Sequence, residues 1–125
     1  MSTIARLIKQ QLRNNDVLTR YGGEEFVALL SNIDEIQGKE IAERIRKCTK
    51  ELLMAFKGTQ MQVTISIGLS TYLSSKAPTL STSDIASLLI SSADKALYCA
   101  KNNGRDGVET GKPVYDTDIN SQLAS

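Results

Sequence analysis

Hydrophobic and polar positions along the chain change period repeatedly, and each change predicts an element. Over residues 3 to 13, Ile4, Leu7, Ile8 and Leu12 fall on one helical face, with Ser2 ahead of them as a cap. Residues 16 to 21 and 25 to 30, DVLTRY and EFVALL, are rich in Val, Leu, Tyr and Phe. They flank Gly22-Gly23, a pair that tolerates the positive φ angles of a tight turn, so the pattern predicts a β-hairpin with glycines at its tip. From about Asp34 to Phe56 the apolar stripe Ile41, Ile45, Cys48, Leu52 predicts a long amphipathic helix that closes near Gly58. Residues 61 to 71 alternate strictly, Met61, Val63, Ile65, Ile67 and Leu69 against polar or small neighbours, which predicts one strand with a single buried face. A loop rich in Ser, Thr and Pro over 74 to 83 leads into a capping-box pattern, Ser81 with Asp84. The helix that follows carries Ile85, Leu88, Leu89, Ala96, Leu97 and Ala100 and stops at Gly104, after about Asn103. Beyond Val108 the chain is polar and aperiodic, so a short strand at most and then a loose tail are expected.

The order helix, hairpin, helix, strand, helix predicts an α+β fold, an antiparallel sheet with packed helices. At 125 residues this is one domain or part of one. Three clear strands bury little by themselves, so a partner chain or a missing segment is expected to complete the sheet.

Composition narrows the chemistry. Apolar residues at 41% and charged residues at 23% are globular proportions. With 15 Lys and Arg against 14 Asp and Glu the net charge is +1, so no basic field holds nucleic acid, and any anion site must be local. The chain has no His, which excludes Ser-His-Asp and Cys-His nucleophiles and His-ligated zinc, and leaves metal chemistry to oxygen ligands. Cys48 and Cys99 stand far apart in helix-like patterns and are expected as two buried thiols of a cytoplasmic protein. No apolar run approaches the ~18 residues of a membrane span and no leader opens the chain, so no membrane segment is expected.

The stretch Gly22-Gly23-Glu24-Glu25-Phe26 carries the most chemistry. Two glycines let a bulky anion approach the backbone, and two carboxylates beside them offer hard oxygen ligands for Mg²⁺, with Mn²⁺ as the alternative. An ordinary hairpin with acidic turn residues fits the same letters. Four blocks together resemble the GGDEF family of diguanylate cyclases, in its GGEEF variant: RYGGEEF at 20 to 26, AERIR at 42 to 46, VTISIGLS at 63 to 70, and ADKALYCAKNNGRD at 93 to 106.

The resemblance implies a fold like the polymerase palm and the nucleotidyl cyclases, ferredoxin-like, with residues 1 to 109 a partial GGDEF domain and 110 to 125 a polar C-terminal tail. It implies condensation of two GTP into cyclic di-GMP with loss of pyrophosphate, each protomer of a homodimer holding one GTP, in bacterial second-messenger signalling. Gly22 and Gly23 would lie against ribose and phosphates. Glu24 would ligate the metal and help orient or deprotonate the 3′-hydroxyl, and Glu25 would add acidity at the metal edge. Lys101 and Arg105 are similar to the family's phosphate-binding pair, and their spacing is expected to set them on one side of the last helical turn and its exit; solvated charges at a helix end are the plain alternative. Arg13-Asn14-Asn15-Asp16 is an RxxD motif placed before GGEEF as in the family's product-inhibition site, with Arg44 as its third member and Asp16 expected to accept from guanine.

The sequence also departs from the family. The strand that would supply a second metal carboxylate, and the following residues that would read guanine, are not in this chain, so an N-terminally truncated domain without useful cyclase activity of its own is expected. A non-catalytic cyclic di-GMP sensor and a dimerisation module are the alternatives.

Overall fold

The computed structural model describes residues 2–22, 25–74 and 79–116. The chain divides into two units, Met1–Thr64 and Ile65–Ser125.

In the first unit, α1 spans Thr3–Gln11, and the Ser2 side chain accepts from the Ala5 N–H at 3.1 Å, the expected cap. A hairpin follows, β1 Val17–Gly22 and β2 Glu25–Leu29, antiparallel. The second helix, α2, spans Glu35–Glu51 and opens with a reciprocal capping box. Gln37 N–H donates to Asp34 Oδ1 at 2.8 Å and Asp34 N–H to Gln37 Oε1 at 3.0 Å. The residues α2 buries are Gly38, Ala42, Ile45 and Thr49, a stripe rotated from the apolar one read in the sequence. Ile41, Cys48 and Leu52 are only half-buried. Small residues at 38 and 42 suit the close approach of α1, which buries Ala5 and Ile8. Thr49 stays satisfied there, since its hydroxyl donates to the Ile45 carbonyl at 2.8 Å.

Helix α2 ends earlier than its periodicity implies. Leu53–Phe56 forms β3, antiparallel to β4, Thr59–Gln62, with Phe56 opposite Thr59. Lys57 (φ 50°) and Gly58 (φ 80°) are both left-handed, the conformation a two-residue hairpin turn demands. The apolar run of residues 53 to 56 continues the helical stripe in sequence but is consumed by this ladder. Gln62 Nε2 donates to the Lys50 carbonyl at 2.8 Å and satisfies an acceptor of the last helical turn.

The alternating block at 61 to 71 is therefore not one strand. Its start belongs to β4, residues 63–66 have no ladder, and Ile67–Leu69 forms β5 in the second unit. There α3, Thr82–Asn102, crosses over and returns the chain as β7, Val108–Thr110, parallel to β5. Tyr72–Leu73 (β6) and Val114–Tyr115 (β8) make a second parallel pair across the same helix. Such β-α-β crossovers place parallel strands where the sequence reading expects antiparallel ones.

The second unit is packed tightly against α3. A Cβ at Gly68 would lie 2.1 Å from the Ala93 carbonyl oxygen and 2.4 Å from the Leu97 nitrogen, so β5 touches the helix backbone. Ala96 and Ala100, both buried, keep that face of α3 flat. Ser70 and Ser92 pin the two sides, donating to the Leu89 and Lys112 carbonyls, each at 2.7 Å. The segment after Val108 holds more than the single short strand expected. Val114 is buried, and Asp116, 1% exposed, accepts from the Tyr72 hydroxyl at 2.5 Å while its carbonyl accepts from Thr79 and Leu80 N–H. Residues 117–125, the rest of the expected tail, lie outside the described residues. Cys99 is exposed and Cys48 half-buried, and both are free thiols, which corrects the expectation of two buried ones.

Candidate functional site

The hairpin places the glycine-acid motif at its open end. Register runs Val17 to Leu29, Leu18 to Ala28, Thr19 to Val27 and Arg20 to Phe26, then shifts so that Gly22 faces Glu25. The shift leaves Tyr21 as an extra residue, a bulge of the kind that re-aims a strand end. Arg20 stacks its guanidinium 5.8 Å from the Phe26 ring centre, which fixes the ribbon behind the tip. Gly22 does not take a positive φ, contrary to the expectation for the turn, and a Cβ there would meet nothing within 4 Å. Neither backbone geometry nor packing requires glycine at 22, so its bareness is available for close approach of a ligand. Glu25 is exposed at the start of β2. Gly23 and Glu24 lie outside the described residues.

The donor chemistry at this end suits a hard divalent cation, because glutamate oxygens are the ligands Mg²⁺ takes and water and phosphate can complete its shell. Among the described residues no three Asp, Glu or Cys side chains converge. The hairpin acids are therefore the carboxylates this chain offers at the motif.

Lys101 and Arg105 belong to the second unit. Lys101 sits half-buried in the last turn of α3. Arg105 is beyond the helix and exposed, so the two do not share a helical face as their spacing implied. Asn103 caps α3, Gly104 follows at φ 103°, and the Arg105 N–H donates to the Ala100 carbonyl at 3.0 Å, closing a Schellman turn. The chain then stays left-handed through Arg105 (φ 59°) and Asp106 (φ 46°). Two non-glycine residues in that region store strain of roughly 1–2 kcal/mol each, at the place where the resemblance puts a phosphate ligand.

The RxxD residues are brought together most completely. Arg13 and Asp16 form a side-on pair, with Nε to Oδ2 at 3.2 Å and Nη2 to Oδ1 at 3.1 Å. The Arg13 backbone N–H adds a bond to Oδ2 at 2.8 Å, and the Ser31 N–H reaches Oδ1 at 3.4 Å. Arg13 Nη2 also donates to the Ser31 carbonyl. The Asp16 side chain is 0% exposed, and the Arg13 guanidinium holds its carboxyl below the ordinary carboxylate range. Burial opposes that shift, and the Arg13 and Ser31 backbone N–H groups reinforce it. Arg44 reaches the same place from α2, donating through Nε to Gln11 Oε1 at 2.9 Å and through Nη2 to the Gln11 carbonyl at 3.2 Å. Gln11, Arg13, Asp16, Gln37, Glu40 and Arg44 line one cleft of about 290 Å³. Gln11, Ser31 and Glu40 escaped the sequence reading. Only Glu40 left a signal there, four residues before Arg44 on one helix face.

A bulged, glycine-tipped hairpin in one unit and a β-α-β crossover in the other are the parts of a nucleotidyl-cyclase fold of the polymerase-palm type. The structure is similar to the diguanylate cyclase SiaD of Pseudomonas aeruginosa, solved with its activator SiaC, with a TM-score of 0.69 at 30% identity over 86% of this chain and 38% of that one. It is likewise similar to the active GGEEF domain of a diguanylate cyclase from Vibrio cholerae, with a TM-score of 0.64 at 28% identity over 86% of this chain and 64% of that one. The family model for the diguanylate cyclase GGDEF domain matches residues 1–107. Diguanylate cyclase A of Treponema denticola is 39% identical over 112 residues, 90% of this chain and 28% of that protein. DgcP of Pseudomonas aeruginosa is 33% identical over 109 residues, 87% of this chain and 15% of that protein. The chain belongs to the GGDEF domain family of diguanylate cyclases, and it spans less than a third of the length of these two relatives.

Proposed function

We propose that this domain serves the synthesis of cyclic di-GMP from two GTP in bacterial signalling. In each half-reaction the 3′-hydroxyl oxygen of one nucleotide bonds to the α-phosphorus of the other, the α–β anhydride breaks, and pyrophosphate leaves. Glu24 holds and orients the attacking hydroxyl and receives its proton, while Gly22 and Gly23 let ribose and phosphates lie against bare backbone. Glu24 and Glu25 are the carboxylates that would hold Mg²⁺ or Mn²⁺, which when bound neutralises charge developing on the phosphates. Lys101 and Arg105 neutralise the polyphosphate tail. Because each GTP needs a second GTP as its partner, the working unit is a homodimer, placed in the cytoplasm where GTP is supplied. Among the described residues no helix is long and apolar enough to cross a membrane.

The observation that carries this reading is the match of residues 1–107 to the cyclase family with RYGGEEF on the β1–β2 ribbon. It is tested by placing this chain's residues in the matched 112-residue segment of the Treponema denticola cyclase and measuring cyclic di-GMP formed from GTP and Mg²⁺. Product from the chimera, lost in Glu24→Gln, is the expected result. A folded chimera that binds GTP and turns none over sinks the reading.

The assembled Arg13, Asp16 and Arg44 cleft supports a second role, binding of cyclic di-GMP as product. It is tested by titration calorimetry with cyclic di-GMP, where binding by the chain and its loss in Arg13→Ala are expected.

A further inference from the structure

The acceptor side of the RxxD cleft is not where the motif puts it. A carboxylate has about four lone-pair sites. Those of Asp16 are all taken inside the protein, by Arg13 N–H and Nε on Oδ2 and by Arg13 Nη2 and Ser31 N–H on Oδ1. With its side chain fully buried, Asp16 has neither capacity nor exposure left for a ligand.

Glu40 lines the same cleft, is exposed, and makes no hydrogen bond or ion pair among the described residues. Arg44, one helical turn along, is its natural partner, yet Arg44 gives Nε and Nη2 to Gln11 instead. That choice leaves the Glu40 carboxylate unpaired. It also leaves the Nη1 ends of both Arg13 and Arg44 clear of any bond among the described residues.

Two guanidinium ends and one unpaired carboxylate complement a guanine base. The guanidinium groups donate to the O6 and N7 acceptors, and the carboxylate accepts from the N1–H and 2-amino donors. We propose that Glu40, and not Asp16, is the residue that reads the guanine donor edge in this cleft, and that Asp16 and Gln11 act as positioning residues that aim Arg13 and Arg44. The proposal rests on the reading of the cleft as a cyclic di-GMP site and goes beyond it by naming the residue that sets base specificity.

The test is titration calorimetry on the chain with cyclic di-GMP and with cyclic di-IMP, whose hypoxanthine bases lack the 2-amino group. Wild type is expected to prefer cyclic di-GMP. Glu40→Gln, an exposed and near-isosteric change, is expected to weaken cyclic di-GMP about tenfold, because a charge-assisted acceptor is replaced by a neutral one, and to narrow the preference over cyclic di-IMP. If wild type binds, Arg13→Ala does not, and Glu40→Gln matches wild type for both ligands, the assignment to Glu40 is overturned while the cleft remains a product site. If wild type binds neither dinucleotide, the cleft reading and the assignment fall together.

Discussion

Arg13 grips Asp16 side-on while its own backbone N–H donates to the same carboxylate, so one residue supplies three of the bonds that hold the buried acid. The chain makes this turn between the end of α1 and the start of β1, and Ser31, just after β2, closes it. The motif is thus a structural knot at the base of the hairpin as well as one wall of the cleft. Lysine cannot reproduce a planar fork, so Arg13→Lys is expected to loosen the base of the hairpin. Asp16→Asn keeps the shape but replaces charge-assisted acceptors, and should cost about 1–3 kcal/mol in urea unfolding.

The pH dependence follows from the same pair. The folded Asp16 carboxyl titrates below its ordinary value because the Arg13 guanidinium favours the charged form. Its contribution to stability is therefore complete above the unfolded value and is lost as pH falls through the lower, folded one. Thermal melts on the acid side should show a decline that Asp16→Asn flattens; parallel profiles for the two proteins would refute the assignment.

At the other unit the Tyr72 hydroxyl is held by Asp116, and that bond, then burial and the carboxylate charge, push the phenol above its ordinary value. The stabilisation is present below the unfolded tyrosine value and disappears as pH rises through the folded one. Tyr72→Phe should lower the melting temperature at neutral pH and remove this alkaline decline, as followed by melts across the alkaline range.

Gly68 allows a sharper steric test. A methyl group there would sit inside contact distance of the Ala93 and Leu97 backbone, which no side-chain rotation relieves. Gly68→Ala should cost about 3 kcal/mol or more, read from denaturant midpoints. A variant as stable as wild type would show that β5 and α3 are not in this close approach.

Arg105 sets stability against binding. Its left-handed φ of 59° is free of penalty only for glycine, so Arg105→Gly should gain up to about 1 kcal/mol in unfolding experiments. The same change is expected to weaken binding of a non-hydrolysable GTP analogue with Mg²⁺. A gain in both would remove Arg105 from the phosphate site.

Local patterns in the sequence were sufficient where one element answers for itself. The Ser2 and Ser81 caps, the faces of α1 and α3, the hairpin around Gly22 and the stop at Gly104 depend on residues within a turn or two of one another. What stayed illegible depends on distant partners. Residues 53 to 56 extend a helical stripe as well as they make a strand, and only pairing with 59 to 62 decides between them. Asp116 reads as a polar tail residue until Tyr72, 44 positions earlier, is beside it. The RxxD letters located the cleft, yet the number of bonds converging on Asp16, which shifts the ligand-facing role to Glu40, is visible only in three dimensions. Left-handed backbone at Arg105 and Asp106 had no letter to announce it, since neither residue is one that usually seeks that region.

The Lys57-Gly58 turn offers a practical opening. It caps a short ribbon whose β4 residues are all exposed, and its two residues carry nothing assigned to nucleotide or product. A reporter spliced between them, such as a small fluorescent domain, would hang from a solvent-facing loop tip of the kind that accepts insertions. The chain could then be followed inside a bacterium without touching the glycine-acid ribbon or the arginine cleft.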